Sequence, residues 1–144
     1  MARFKLISEV HLVLRRKGRL LMLKRANTGY MDGFYSLVAG HVDGGETFRS
    51  AMVRETKEEA GLTLRPEDIR LVHTMHRLSD SERLSLFFEV PHWEGEPVNA
   101  EPDKCEELIW ADPKKLPQNT VPYVASALAM IARGKSYSEF GWPT

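Results

Sequence analysis

The chain of 144 residues has a single cysteine, Cys105, so it can form no internal disulfide and has no thiol cluster to offer zinc. It has no excess of either charge, because 20 Lys and Arg balance 20 Asp and Glu. Non-specific binding of a nucleic-acid polymer rests on surplus basic residues, and this balance argues against it. It does not argue against a nucleotide, whose charge a metal ion can neutralise locally. No segment approaches the roughly eighteen unbroken apolar residues of a membrane span. The amino terminus, Met1-Ala2-Arg3-Phe4-Lys5, lacks the apolar run of a signal peptide. Internal repeats, low-complexity tracts and long linkers are also missing. What is present is an ordinary globular balance, 42% apolar and 28% charged, on a chain long enough to bury a core. The expectation is one cytoplasmic domain over residues 1–144 that uses neither a membrane nor a nucleic-acid polymer, as a monomer or homodimer.

Period-two alternation predicts a strand from Phe4 to Leu14, and Lys17-Gly18 marks a turn into a returning strand over Arg19 to Arg25. Asn27 to Gly33 reads as a loop and Phe34 to Val38 as a short strand. Thr47 is a good N-cap and Gly61 a good stop for a helix between them. Ile69 to Arg77 and Arg83 to Val90 read as strands about a polar turn, and Leu108 to Trp110 as another. A second helix, Thr120 to Ala132, has Pro122 near its start, Gly134 after its end and an apolar stripe. Mixed strands with two helices predict an α/β (α+β) fold with a mixed sheet sandwiched between helices.

The stretch Gly40 to Leu62 carries the chemistry: GHVDGGETFRSAMVRETKEEAGL. At about 100° per residue, with Glu55 at zero, Glu58 falls near −60° and Glu59 near +40°. These acids share one arc, while Met52, Val53, Thr56 and Ala60 form the arc expected to face the core. Like charges at these spacings repel, so the arrangement calls for a positive partner. A hard dication with oxygen ligands, Mg²⁺ or Mn²⁺, meets that need. Gly40 and Gly44-Gly45 let the backbone approach such an ion closely enough for a carbonyl to join it. Arg54 can hold a neighbouring carboxylate through its fork, and Glu46 is the expected partner.

This stretch resembles the Nudix box of the Nudix hydrolases, the family of MutT-type pyrophosphohydrolases. Gly40, Glu46, Arg54-Glu55, Glu58-Glu59 and Gly61-Leu62 match its pattern over residues 40–62, with Thr56 where an aliphatic residue is usual. Val38-Ala39-Gly40-His41 replaces the familiar Pro-Gly-Gly entry.

The resemblance implies the Nudix fold and Mg-dependent hydrolysis of a pyrophosphate bond in a nucleoside diphosphate linked to another group. The leading substrate expectation is a nucleoside or deoxynucleoside triphosphate, oxidised or not, cut to monophosphate and pyrophosphate. ADP-ribose, a nucleotide sugar or a dinucleoside polyphosphate is the alternative, and a non-catalytic nucleotide sensor a third reading. By position, Glu55, Glu58 and Glu59 are metal ligands or base, the Gly40 carbonyl is a further ligand, and Glu101 is the candidate acid from beyond the box. Arg54 and Glu46 form the orienting pair. Arg25 is the candidate phosphate cation, His41 can approach phosphate, Asn119 is the candidate base reader, and Tyr30, Phe34 and Tyr35 are candidate stacking residues. His73 and His76 are set aside as a metal pair, because a strand puts them on opposite faces. The aromatic end, Tyr137, Phe140 and Trp142, is expected to pack back onto the domain or a second subunit.

Overall fold

The computed structural model describes residues 2–144, so Met1 lies outside the described residues. Nine strands and two α-helices follow one another along the described residues. They are β1 (Ile7–Val13), β2 (Arg15–Arg16), β3 (Arg19–Arg25), β4 (Tyr35–Ser36), β5 (Val38–His41), α1 (Phe48–Ala60), β6 (Arg70–Leu78), β7 (Glu82–Glu89), β8 (Cys105–Ala111), α2 (Pro122–Ala132) and β9 (Tyr137–Phe140). The main sheet is mixed, in the order β5-β1-β7-β6-β9, with β1 parallel to β7 and β9 parallel to β6. A second sheet joins β2, β3 and β4, and β8 pairs with β3.

Helix α1 begins and ends where its caps dictate. Thr47 accepts a hydrogen bond from the Ser50 amide, and Gly61 takes a left-handed φ of 70° that closes the last turn onto Lys57. Its core arc is as expected: Met52, Thr56 and Ala60 are buried and Val53 is partly so. Thr56 is tolerated at an aliphatic position because its hydroxyl donates to the Met52 carbonyl at 2.7 Å, leaving no buried polar atom unpaired.

The main sheet lies between the two helices. Val10, Leu12, Leu86 and Phe88 face α1, where they meet Ala51, Met52 and Ala60. Val13, Met75 and Phe87 face the other way, onto Tyr123, Val124, Ala127 and Leu128 of α2. Strand β1 is therefore covered on both faces, which explains the apolar residues in both phases of its alternation.

Several elements differ from the sequence reading. The first strand starts at Ile7 rather than Phe4, because residues 4–6 are exposed and pair with nothing that would continue the sheet. The hairpin is short: after Val13 the chain leaves the main sheet, Arg15–Arg16 pair with Arg19–Leu20, and one more bond runs from the Leu21 amide to the Leu14 carbonyl. The expected strand Phe34 to Val38 is two strands in different sheets, with Leu37 as the crossing point. Strand β9 was not expected at all. Its residues alternate between exposed and half-buried, so it has no apolar face for a sequence reading to detect. The aromatic end does pack back onto its own chain: Trp142 donates to the His76 carbonyl at 3.0 Å and its ring meets His76. His73 and His76 do lie on opposite faces; His73 is buried between Phe87 and the 135–138 segment.

Candidate active site

The turn from β5 into α1 brings Gly40 against the first acid of the helix. A Cβ at Gly40 would lie 2.1 Å from the Glu55 carboxyl carbon, so the missing side chain is the space that Glu55 occupies. One turn on, Glu59 accepts from the Ala39 amide at 3.2 Å and shares a hydrogen bond with Glu55. Burial raises the affinity of both acids for protons, and the Glu55 neighbour adds to the effect at Glu59, whose carboxyl is pushed up to about 9. Two carboxyls thus share one proton in a space that only glycine leaves open.

Arg54 organises the outer side of this pair. Its guanidinium donates to Glu46 at 2.7 and 3.2 Å, to Glu55 at 2.8 Å and to the His41 carbonyl at 3.1 Å. Glu46 also accepts from the Asp43 amide, which pins the glycine loop to the start of the helix. The Arg54 contact holds the Glu46 carboxyl below its ordinary range, so this pair is ionised together. Glu58 is half-exposed, 3.5 Å from Arg54.

Glu101 reaches the same place for a backbone reason. The last carbonyls of α1 lack helical partners, and the amides of Val98 and Ala100 donate to those of Ala60 and Glu59. That strap carries Glu101 to Glu59, whose proton affinity it raises. The donors present are carboxylates and a backbone carbonyl, an all-oxygen set suited to a hard dication. Among the described residues, no three acidic, histidine or cysteine side chains are already gathered around one point. The acids are held by Arg54 and by a shared proton, both of which a dication can replace, and in that respect the residues fit Mg²⁺ or Mn²⁺.

Beside Gly40, Glu59 and Glu101 opens a cleft of about 760 Å³. Arg25, Lys104, His41 and Tyr30 line it, together with Glu9, Arg77, Arg83 and Tyr123. Arg25 also ties down its own loop: it donates to the Tyr30 carbonyl and the Thr28 hydroxyl, and stacks on the Tyr30 ring. The Asn27 side chain fastens the same loop to the Asp103 carbonyl across the mouth.

Three candidates sit elsewhere. Asn119 is outside the cleft lining, and its side-chain amide donates to the Gly33 carbonyl at 2.8 Å, so it anchors the 27–33 loop. Tyr35 is buried on the α2 side, where its hydroxyl donates to Glu107 and its proton is held up to about 12. Phe34 packs against that same core. Partners far away in sequence place them there: the Gly33 carbonyl takes Asn119, the Glu107 carboxylate takes Tyr35, and the apolar core takes Phe34.

Sequence reasoning missed Glu9, Arg77, Arg83 and Tyr123. Glu9 falls in the polar phase of β1, which suggests solvent, yet it is buried against Arg77 because α2 covers that face. No local signal marked the pair, because Glu9 and Arg77 stand on strands separated by β7 in the sheet.

Comparison with known proteins bears on the family and the fold. The model of the NUDIX domain matches residues 7–131. The chain is 27% identical to the 8-oxo-dGTP diphosphatase of Escherichia coli over 124 residues, covering 84% of this chain and 95% of that one. It is 31% identical to the NAD-capped RNA hydrolase NudC of Chromobacterium violaceum over 120 residues, but spans 42% of that relative's length. The crystal structure of a MutT NUDIX hydrolase from Burkholderia pseudomallei superposes with a TM-score of 0.79 at 26% identity, over 88% of this chain and 98% of that one. With the domain matched over most of the chain, and with relatives alike in sequence and in fold, the chain belongs to the Nudix family of pyrophosphohydrolases.

Proposed function

We propose that the protein hydrolyses a nucleoside or deoxynucleoside triphosphate, oxidised or not, to the monophosphate and pyrophosphate, with Mg²⁺ as cofactor. One observation carries this reading: the buried Glu55–Glu59 pair abuts Gly40 at the edge of a cleft large enough for a nucleotide. The choice of a compact triphosphate draws support from the relative named as an 8-oxo-dGTP diphosphatase, 95% of whose length the chain spans.

Glu55, Glu58, Glu59, Glu101 and the Gly40 carbonyl are the residues that would hold the ion. When bound, Mg²⁺ neutralises charge on the phosphate chain and makes water easier to deprotonate. The protein's own residues supply the rest. Arg54 and Glu46 fix the helix start and the glycine loop, so the acids do not swing apart when one changes partner. Arg25 and Lys104 put positive charge on the cleft wall to attract and hold the polyphosphate. Tyr30, at the rim with Arg25 over its ring, gives an aromatic surface for a base.

The test is a substrate panel in Mg²⁺: the common NTPs and dNTPs, 8-oxo-dGTP, ADP-ribose, NAD and diadenosine polyphosphates, with products identified. Monophosphate plus pyrophosphate from a triphosphate is the expected outcome. Two monophosphates from ADP-ribose or NAD, with triphosphates untouched, would move the substrate to a dinucleotide, a reading favoured by the NudC relative. No cleavage of any member would overturn the enzymatic proposal.

A further inference from the structure

The cleft holds a second polar cluster that the box does not use. Glu9 on β1 and Arg77 on β6 form a buried ion pair at 2.5 Å, with side chains only 8% and 6% exposed. The Ser85 hydroxyl donates to the same Glu9 oxygen at 2.7 Å. The other Glu9 oxygen accepts one long hydrogen bond, from Arg83 at 3.4 Å, with His41 3.8 Å away. It is an acceptor with capacity to spare. Arg77 uses Nη2 on Glu9 and Nε on Ser85, which leaves Nη1 with no partner among the described residues. The cluster therefore offers an acceptor with a lone pair to spare beside one unused donor, on two residues that line the cavity.

The pair is also held rigidly. Arg77 lies 3.7 Å over the Tyr123 ring, and Tyr123 donates its hydroxyl to His11 at 2.8 Å. His11 donates in turn to the Leu86 carbonyl, and burial keeps its ring neutral by pushing its pKa down to about 4. Buried charge is expensive unless fully paired, so a fixed pair with spare valence facing a cleft is poised for a ligand. Glu9 cancels the charge of Arg77, so this pair offers no net attraction to a phosphate. A neutral edge with an N–H donor next to an oxygen or nitrogen acceptor satisfies both groups at once. Within a nucleotide, that edge belongs to the base.

We propose that Glu9 and Arg77 are specificity-determining residues that read the hydrogen-bonding edge of the substrate's base, with Arg83 and Tyr123 holding them in place. This rests on the nucleotide reading above and adds to it the groups that choose among bases. Their preorganisation means that little ordering opposes recognition.

The experiment uses product-like probes, so that binding is read apart from turnover. The four nucleoside 5′-monophosphates, ribose 5-phosphate and inorganic pyrophosphate are titrated into the Mg²⁺-loaded protein by calorimetry. The arginine side-chain resonances are followed by NMR in parallel. At least one monophosphate is expected to bind about tenfold or more tightly than ribose 5-phosphate and to shift the Arg77 guanidinium signals. Glu9→Gln is expected to remove that margin and change the ranking of bases, with ribose 5-phosphate affinity unaltered. If Glu9→Gln does not fold, the Arg77 signals of the unaltered protein decide the matter alone. Pyrophosphate or ribose 5-phosphate moving Arg77 as strongly as a monophosphate would make the cluster an anion or sugar site and overturn the inference. Monophosphates that bind without touching Arg77 would overturn it too, while leaving the nucleotide reading intact. If no monophosphate binds, both fail together.

Discussion

Replacing Gly40 by alanine tests the geometry on which the active site depends. Gly40 lies in β5 and outside the left-handed region, so alanine meets no backbone penalty there. The whole effect is steric. The new Cβ would fall 2.1 Å from the Glu55 carboxyl carbon and 2.2 and 2.4 Å from its oxygens. Ordinary contact begins at 3.4 Å, so the carboxylate must retreat by about 1.3 Å, or β5 must shift by as much. Retreat breaks the 2.8 Å bond to Arg54 and disturbs the hydrogen bond to Glu59. Overpacking of this kind costs about 1–3 kcal/mol. For a chain of this size, that lowers Tm by roughly 2–4 °C per kcal/mol. A displacement of about 1 Å in a catalytic constellation costs on the order of 100-fold in rate. The expected result is therefore a folded protein, several degrees less stable, with kcat reduced by about two orders of magnitude. Thermal unfolding by circular dichroism and product release under saturating substrate measure the two effects. A Gly40→Ala protein with unchanged kcat would refute the claim that Gly40 and Glu55 share this space.

Other outcomes follow from the same contacts. The Glu55–Glu59 pair holds a proton in the folded protein that it releases on unfolding, so the stability of the metal-free protein should fall as pH rises from about 4.5 through about 9. Melting curves in chelator should show that decline, Glu59→Gln should flatten it, and added Mg²⁺ should stabilise the protein most at the alkaline end. A flat profile in chelator would remove the shared proton. Glu59→Gln is also expected to cut turnover by orders of magnitude with the fold retained, by circular dichroism; near-normal rates would discard Glu59 as a ligand. Arg54→Lys keeps the charge but loses the fork that reaches Glu46, Glu55 and the His41 carbonyl, and should lower kcat about 10–100-fold. Asn119→Ala removes one hydrogen bond to Gly33 and should cost about 1 kcal/mol in denaturant unfolding, leaving the ranking of bases unchanged. A changed ranking would return Asn119 to the binding site.

Much of the fold could be read from residues that act locally. Thr47 and Gly61 bound α1 because capping is a property of a few neighbouring atoms, and the acid arc follows from helical geometry alone. The box pattern groups Gly40 with Glu55 and Glu59, and Gly40 does lie against Glu55. What was illegible depends on partners distant in sequence. Glu9 reads as a solvent-facing acid until β6 supplies Arg77, 68 positions away, and α2 closes over both. Asn119 and Tyr35 look free to bind a ligand until Gly33 and Glu107 claim their polar atoms. Strand β9 has too little buried surface to leave a pattern, and its place is set by pairing with β6.

That last strand has a practical consequence. The segment matched to the family ends at residue 131, yet β9 and Trp142 pair with the outer edge of β6, the strand that carries Arg77. His73, buried on the same strand, has both ring nitrogens satisfied by Lys135 and Ser138. Cutting the gene at the family boundary would strip these supports and leave an imidazole facing a void. Expression designs should therefore keep everything through Trp142 and put any affinity tag ahead of β1, where exposed residues leave room for it.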